Sequence, residues 1–294
     1  GLDQSEIAEI CGVNQTTIST YCMKFDLSHE YDYDDPELLR RLYVDNGLSM
    51  NAISGRLGCS VSVISDRLRE FGFFCGQTCP TCDSEYDKLG QHWGRSCGYP
   101  TMPIKTQEAF IGLLMGDAWI CNPDEEHAHL EVVTTSRKFI EYLESSLSPY
   151  ISRTGFYRTG ERTAELAASA GMNADGSKTQ DQWIARSRNH PFFDTLREWY
   201  ESGSKIFPEE IELTPTTLRY WYACDGSKHE NRGAFFAASN EMERFDALIK
   251  KFEDLGMYPK ASGHKIYFKE SEMIKLMEFM GGPVPGYEYK WTNN

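Results

Sequence analysis

No stretch of these 294 residues approaches the roughly 20 consecutive apolar residues that a membrane span needs. Nor does the chain open with the charged, apolar and small-residue blocks of a secretory leader. Positive charge is scarce: 30 Lys and Arg face 44 Asp and Glu, giving −14, and the first 100 residues and the remainder each sum to −7. Such a balance repels nucleic acid overall, so a nucleic-acid partner requires basic residues segregated onto one face. Wholesale disorder is excluded, because 40% apolar and 13% aromatic content is enough for real cores. These absences point to a soluble, cytoplasmic protein of two to four compact units. Nine cysteines, an odd number clustered between Cys75 and Cys97, then speak for metal before disulfides.

The first 74 residues contain a repeat. A shift of 46 places lays Gly1-Leu2 on Gly47-Leu48, Ile7-Ala8 on Ile53-Ser54, Gly12 on Gly58, and Thr17-Ile18 on Val63-Ile64. In each copy a small residue is followed four places later by Gly and six after that by Ile. That spacing predicts a helix-turn-helix: the small residue lets two helices approach, Gly takes the turn, and Ile anchors the second helix. Asn14 and Ser60 would cap the second helices, and Gln15, Thr16 and Ser62 beside them are candidates for DNA contact. Amphipathic hairpins that only dock on the rest of the chain are the plain alternative. Only the second copy has an apolar lead-in helix, Pro36 to Asn46, with Leu38, Leu39, Leu42 and Tyr43 at helical spacing. Since Gly1 itself matches Gly47, the chain is expected to begin within a module. The acidic linker, Asp32, Asp34, Asp35 and Glu37, reads as a solvated spacer.

Cys79-x2-Cys82-x9-His92-x4-Cys97 supplies three thiolates and an imidazole, a closed tetrahedral set for structural Zn²⁺, with Cys75 as a spare donor. Gly76, Pro80, Gly90, Gly94 and Gly98 make the segment turn-rich and too small to fold alone without an ion.

Farther on, Gln107 to Asp117 reads as a helix with Gly112 and Gly116 four apart and a carboxylate at its end. About a hundred residues later, Leu213 to Ser227 repeats the pattern, with Thr214 as cap, Pro215 at the first helical position and Asp225 at the end. Interior glycines weaken a helix by about 1 kcal/mol each, so they imply close backbone approach. A carboxylate closing a helix faces the negative end of its dipole, which favours a cation there. Two such helices side by side favour a divalent one.

These residues resemble the LAGLIDADG homing endonucleases. FIGLLMGDA at 110 to 118 is similar to the first family motif, with Ala118 where glycine is usual, and LTPTTLRYWYACDGS at 213 to 227 to the second. Trp199-Tyr200, Gly203, Lys205 and Pro208 resemble the inter-repeat segment, and Tyr289-Lys290-Trp291 the C-terminal finish, so the likeness spans roughly 101 to 294. It implies an α+β domain of two pseudo-symmetric αββαββα halves, each laying an antiparallel sheet on double-stranded DNA. Period-two stretches near Leu130 to Thr134, Ile151 to Tyr157, Ala234 to Ala238 and Lys265 to Phe268 flank two amphipathic helices and fit that plan.

The resemblance further implies that Asp117 and Asp225 hold catalytic Mg²⁺, that Lys265, Lys269, Arg186 or Arg188 orient water and phosphate, and that one chain acts as a monomer making double-strand breaks at a long site. Arg153, Arg158, Arg186, Arg188, Lys228 and Arg232 are the expected DNA contacts; Arg162, after the first of these strands, belongs with them. The competing reading is a catalytically inactive DNA-binding regulator or an intron RNA maturase. The ends, Gly1 and Thr292-Asn293-Asn294, lack the residues of a self-splicing intein. The expected domains are helix-turn-helix units at 1–30 and 31–74, a zinc module at 75–100, and halves at 101–205 and 206–294. The Ala/Gly/Ser-rich stretch Ala164 to Lys178 reads as an inserted loop.

Overall fold

A computed structural model describes residues 4–24, 32–46, 48, 50–73, 77–86, 88–121, 127–170, 179–201, 204–229, 233–238 and 244–291. The chain divides into two compact units, Gly1–Cys75 and Gly76–Asn294.

In the first unit both repeats are helix pairs. Helix α1 (Gln4–Cys11) is followed by α2 (Gln15–Lys24), and α4 (Met50–Leu57) by α5 (Val61–Glu70). Between them Gly12 and Gly58 adopt φ of 65° and 66°, a left-handed turn that a side chain would strain. Asn14 Oδ1 accepts from the Thr17 N–H at 2.8 Å, and Ser60 Oγ from the Val63 N–H at 3.4 Å, so both expected caps form. The lead-in helix α3 (Pro36–Arg40) continues as a wider turn over Arg41–Asp45. Its Leu39 and Leu42 bury against Ile53, Ile64 and Leu68, the core of the second copy.

The acidic linker is more than a spacer. Asp35 caps α3 by accepting from the Glu37 and Leu38 N–H groups, and Asp34 pairs with Arg67 of α5 at 2.6 Å. The pair forms because the helix-capping turn at Asp32–Asp34 brings the carboxylate over α5.

In the second unit two four-stranded antiparallel sheets repeat one topology. The first, β3 (Trp119–Cys121), β4 (His129–Thr134), β5 (Ile151–Arg158) and β6 (Gln182–Ser187), has order β3-β4-β6-β5. The second, β9 (Gly226–His229), β10 (Gly233–Ala237), β11 (Lys260–Ser262) and β12 (Lys265–Phe268), has order β9-β10-β12-β11. Helices α8 (Arg137–Ser146) and α12 (Phe245–Asp254) follow the second strand of each half and bury Phe139, Ile140 and Leu143, and Phe245, Leu248 and Phe252. Each half ends in another helix, α10 (Pro191–Thr195) and α13 (Glu270–Met280). The fold is therefore α+β with the αββαββα plan twice.

The first half departs from that plan by a helix, α9 (Gly160–Ser169), between β5 and β6. Residues 164–169, expected as loop, belong to it: Thr159 Oγ1 caps it by accepting from the Arg162 N–H, and Ala, Leu and Glu are good helix formers. Residues 171–178 lie outside the described residues. Among described residues no helix is long and apolar enough to cross a membrane.

Gly58→Ala should destabilise the first unit by about 1 kcal/mol, because φ is positive there. Gly55→Ala, in helix α4 with open space at the Cβ, should instead be neutral or stabilising by up to about 1 kcal/mol. Chemical denaturation followed by helical circular dichroism compares the two.

Candidate active site and cysteine-histidine centre

Helices α7 (Ile104–Met115) and α11 (Pro215–Asp225) form the seam between the halves. Thr214 caps α11 through its hydroxyl and Pro215 opens it, as the motif predicts. A Cβ on Gly112 would stand 2.3 Å from the Thr217 carbonyl oxygen, and one on Gly116 would stand 2.3 Å from the Cys224 Cβ. Only hydrogen fits at either place, so the backbones touch where the glycines recur.

That contact brings both helix C-termini, and both aspartates, to one place. Asp225 is the last residue of α11, while α7 ends at Met115 and turns through Gly116 to present Asp117. Ala118, which replaces the usual glycine, is buried, donates its N–H to the Leu113 carbonyl at 3.0 Å and does not need a positive φ.

Burial, then the charge of Asp117, raises the Asp225 carboxyl to about 7, against the lowering pull of Lys205, Trp221 and Lys290. Desolvation raises Asp117 as well, opposed by Lys290 and Lys205, although the residue keeps an exposed edge. Each lysine closes one helix end. Lys205 Nζ donates to the Gly116 and Ala118 carbonyls at 2.6 and 3.0 Å, and Lys290 Nζ donates to the Ala223 and Cys224 carbonyls at 2.7 and 2.9 Å. An ammonium at a helix C-terminus meets carbonyls with no helical partner and the negative pole of the dipole. Lys290 is 9% exposed, and burial lowers its pKa while Cys224 and the two aspartates raise it.

These lysines occupy equivalent places in the two halves. Sequence reasoning noted both only as spacing residues. Lys205 ends the two-residue strand Ser204–Lys205 and Lys290 the short helical turn Glu288–Lys290, settings that carry no sequence signal of their own. Two neighbouring carboxylates, both pushed toward protonation by burial and Asp225 also by the charge of Asp117, fit a divalent cation, which would restore their charge.

Lys265, Lys269, Arg186 and Arg188, expected to orient water and phosphate, make these contacts. Lys265 sits over the Phe235 ring at 3.9 Å, and Lys269 is exposed at the N-cap position of α13. Arg186 donates from Nε to Glu131 Oε1 at 2.6 Å. Arg188 donates to the Pro149 carbonyl and to Gln77, lies over Trp93, and is lowered by burial to about 10. Arg158 bonds Gln182 at 2.6 Å, Lys228 reaches the Trp291 carbonyl at 3.5 Å, and Arg153 is exposed on β5. Arg162 pairs with Glu165 on α9 at 2.8 Å. Gln15, Thr16 and Ser62 are exposed on α2 and α5; Arg232 and Cys75 lie outside the described residues.

The four cysteine and histidine candidates do meet. The donor atoms of Cys79, Cys82, His92 and Cys97 lie within 4.8 Å of one another, with Cys82 Sγ 3.5 Å from His92 Nε2. The hairpin β1 (Gln77–Thr78) and β2 (Glu85–Tyr86) carries the first two, and α6 (Leu89–His92) with the turn after it the others. Tyr86 stacks on His92 with ring centroids 3.6 Å apart. The Ser84 backbone N–H is the chief cause that lowers Cys82 to about 7, which favours the thiolate a metal needs. The segment is folded into the main core through Leu89 and Trp93, both fully buried.

Residues 107–276 match the LAGLIDADG DNA endonuclease family. The chain is 24% identical over 198 residues to "Uncharacterized protein MJ1098" of Methanocaldococcus jannaschii, covering 66% of either protein, and so spans just under two thirds of that relative. It also matches the fold of the homing endonuclease I-WcaI bound to its DNA recognition sequence, with TM-score 0.56, 19% identity, and coverage of 70% of this chain and 93% of that one.

The raised Asp225 carboxyl opposes folding once it must ionise. Its folded value lies above the unfolded one, so the penalty grows as pH rises from about 4 to 7 and is full above 7. Asp225→Asn should therefore raise the Tm of the metal-free protein at high pH, and the gain should shrink as the pH falls toward 4. Calorimetry across that range checks it.

Proposed function

The chain belongs to the LAGLIDADG DNA endonuclease family, and from that premise we propose that it is a site-specific, Mg²⁺-dependent endonuclease cutting both strands of DNA at a long recognition site. The observation that carries the reading is the seam: two carboxylates, one from each half, at adjoining helix ends with one lysine apiece. A protein that only adheres to DNA gains nothing from crowding two acids there, where burial and the charge of Asp117 work against ionisation of Asp225.

Asp117 and Asp225 would hold the cation. When bound, it supplies Lewis-acid polarisation of a phosphodiester and a more acidic water. Lys205 and Lys290, fixed by the helix carbonyls, place positive charge where negative charge grows on the phosphoryl oxygens. Each half carries one acid and one lysine, so each would serve one strand, and a single chain would act alone.

The sheets would bind the duplex, by analogy with the DNA-bound homing endonuclease whose fold this chain shares. Exposed Arg153 is the basic side chain best placed to contribute, with Lys228 and Lys265 part-exposed on the other sheet. The N-terminal helix pairs would lengthen the footprint, with Gln15, Thr16 and Ser62 at the exposed starts of their second helices. Cys79, Cys82, His92 and Cys97 would hold Zn²⁺ in a structural role, since all four positions are filled by protein.

Cleavage of a target library with Mg²⁺ tests the nuclease reading. Asp117→Asn and Asp225→Asn should abolish cutting while DNA binding persists, and Lys290→Met should slow it about 100-fold. Equal cutting by all these proteins, or none by the parent on DNA it binds, would leave the non-cleaving regulator.

The zinc assignment has its own measurement. Cys82 is exposed, and an ordinary surface substitution changes stability by no more than about 0.5 kcal/mol. Cys82→Ser should cost far more than that and release the metal, as read by zinc content and thermal melting.

A further inference from the structure

A second set of metal-donor side chains lies on the first half's sheet and shares no residue with either centre above. Strands β3 and β4 pair so that Cys121 stands opposite His129, and Trp119 opposite Glu131. Side chains alternate along a strand, so these four project from one face. Leu130 and Val132, between and beyond them, face the core on the other side.

The donor atoms of Cys121, His129 and Glu131 lie within 4.8 Å of one another, and His129 Nε2 is 3.5 Å from Glu131 Oε1. His129 is 4% and Glu131 7% exposed, while Cys121, on the edge strand, is half-buried. The cluster is therefore fixed by strand register and reachable from one side.

We propose that Cys121, His129 and Glu131 form a Zn²⁺ site with three protein ligands and a fourth position open to water. One thiolate, one imidazole and one carboxylate suit this borderline-soft ion, whereas Mg²⁺ and Ca²⁺ prefer oxygen throughout. The neighbours hold the ligands in the way metal sites require. The Trp119 indole N–H donates to Cys121 Sγ at 3.1 Å, and Arg186 Nε donates to Glu131 Oε1 at 2.6 Å. A carboxylate has two oxygens, so Glu131 still has one to give.

Metal uptake expels the Cys121 thiol proton to solvent as the sulfur–metal bond forms. Two positive charges enter and one proton leaves, so the face gains one unit of positive charge beside Arg153 and Arg186, which stand in register on β5 and β6. That gain bears on DNA binding only under the function proposed above; the metal site itself does not depend on it.

Cobalt(II) titration of the whole 294-residue chain is the test, because thiolate-to-cobalt absorption reports sulfur ligands directly. An Asp117→Asn, Asp225→Asn background removes the carboxylate centre from the count. In that background the protein should take up two equivalents with thiolate absorption and release protons. Cys121→Ser and His129→Gln should each lose one equivalent and keep the other. Cys82→Ser should lose the opposite one. If that variant does not fold, the Cys121→Ser comparison decides, since its serine sits on a part-exposed edge strand. Unchanged stoichiometry and absorption in Cys121→Ser would overturn the site, whatever the outcome for the Cys79 set or for nuclease activity.

Discussion

Everything in the second unit follows from the closeness of α7 and α11. Gly112 and Gly116 let the two backbones touch, and touching helices that end together superimpose two negative dipole ends. Adding a carboxylate to each makes the place strongly unfavourable for anions. The fold answers with Lys205 and Lys290, whose ammoniums are pinned by carbonyls just past the end of α7 and in the last turn of α11. The lysines do not offset burial, which together with the charge of Asp117 raises Asp225 to about 7. Under the proposed function, the remaining demand for positive charge at the seam is what a cation would meet.

The motif helices, four of the strands and the two amphipathic helices were legible because their signals are local. Thr214-Pro215 caps and opens α11, Gly112 and Gly116 recur at helical spacing, and Phe245, Leu248 and Phe252 mark one face. The lysines at the helix ends were not legible as such. Lys205 meets a carbonyl 89 residues away, and Lys290 one 67 residues away, so nothing beside them in the chain distinguishes them from surface lysines. The short strands β3, β9 and β11 also escaped, since β3 and β11 have three residues each and β9, Gly-Ser-Lys-His, has no apolar residue to alternate. In the first unit, Asp34 looked like repelling charge because its partner, Arg67, is 33 residues on.

The same distance problem governs the arginines. Charge counting treats each as available to phosphate, yet Arg186 is committed to Glu131 and Arg188 to Pro149, Gln77 and the Trp93 ring. A chain at −14 thus has fewer free cations on the first sheet than its sequence suggests. Recognition under the proposed function must rest on fewer phosphate contacts per half, and on shape and base edges more than on bulk attraction.

Arg188 also shows why the cysteine-histidine segment cannot be a detachable ornament of the second unit. Its guanidinium lies over Trp93, which packs against Tyr150 and His190, and His190 in turn caps α10 and bonds the Pro100 carbonyl. Trp93 directly follows His92 in the ligand set. A metal holding His92 and Cys97 would fix the turn that carries Trp93, and through it the edge of the first half where β5 begins. A chain too short there to bury its own core borrows the core of its neighbour, and in exchange an ion at its tip would stiffen the sheet that the neighbour presents.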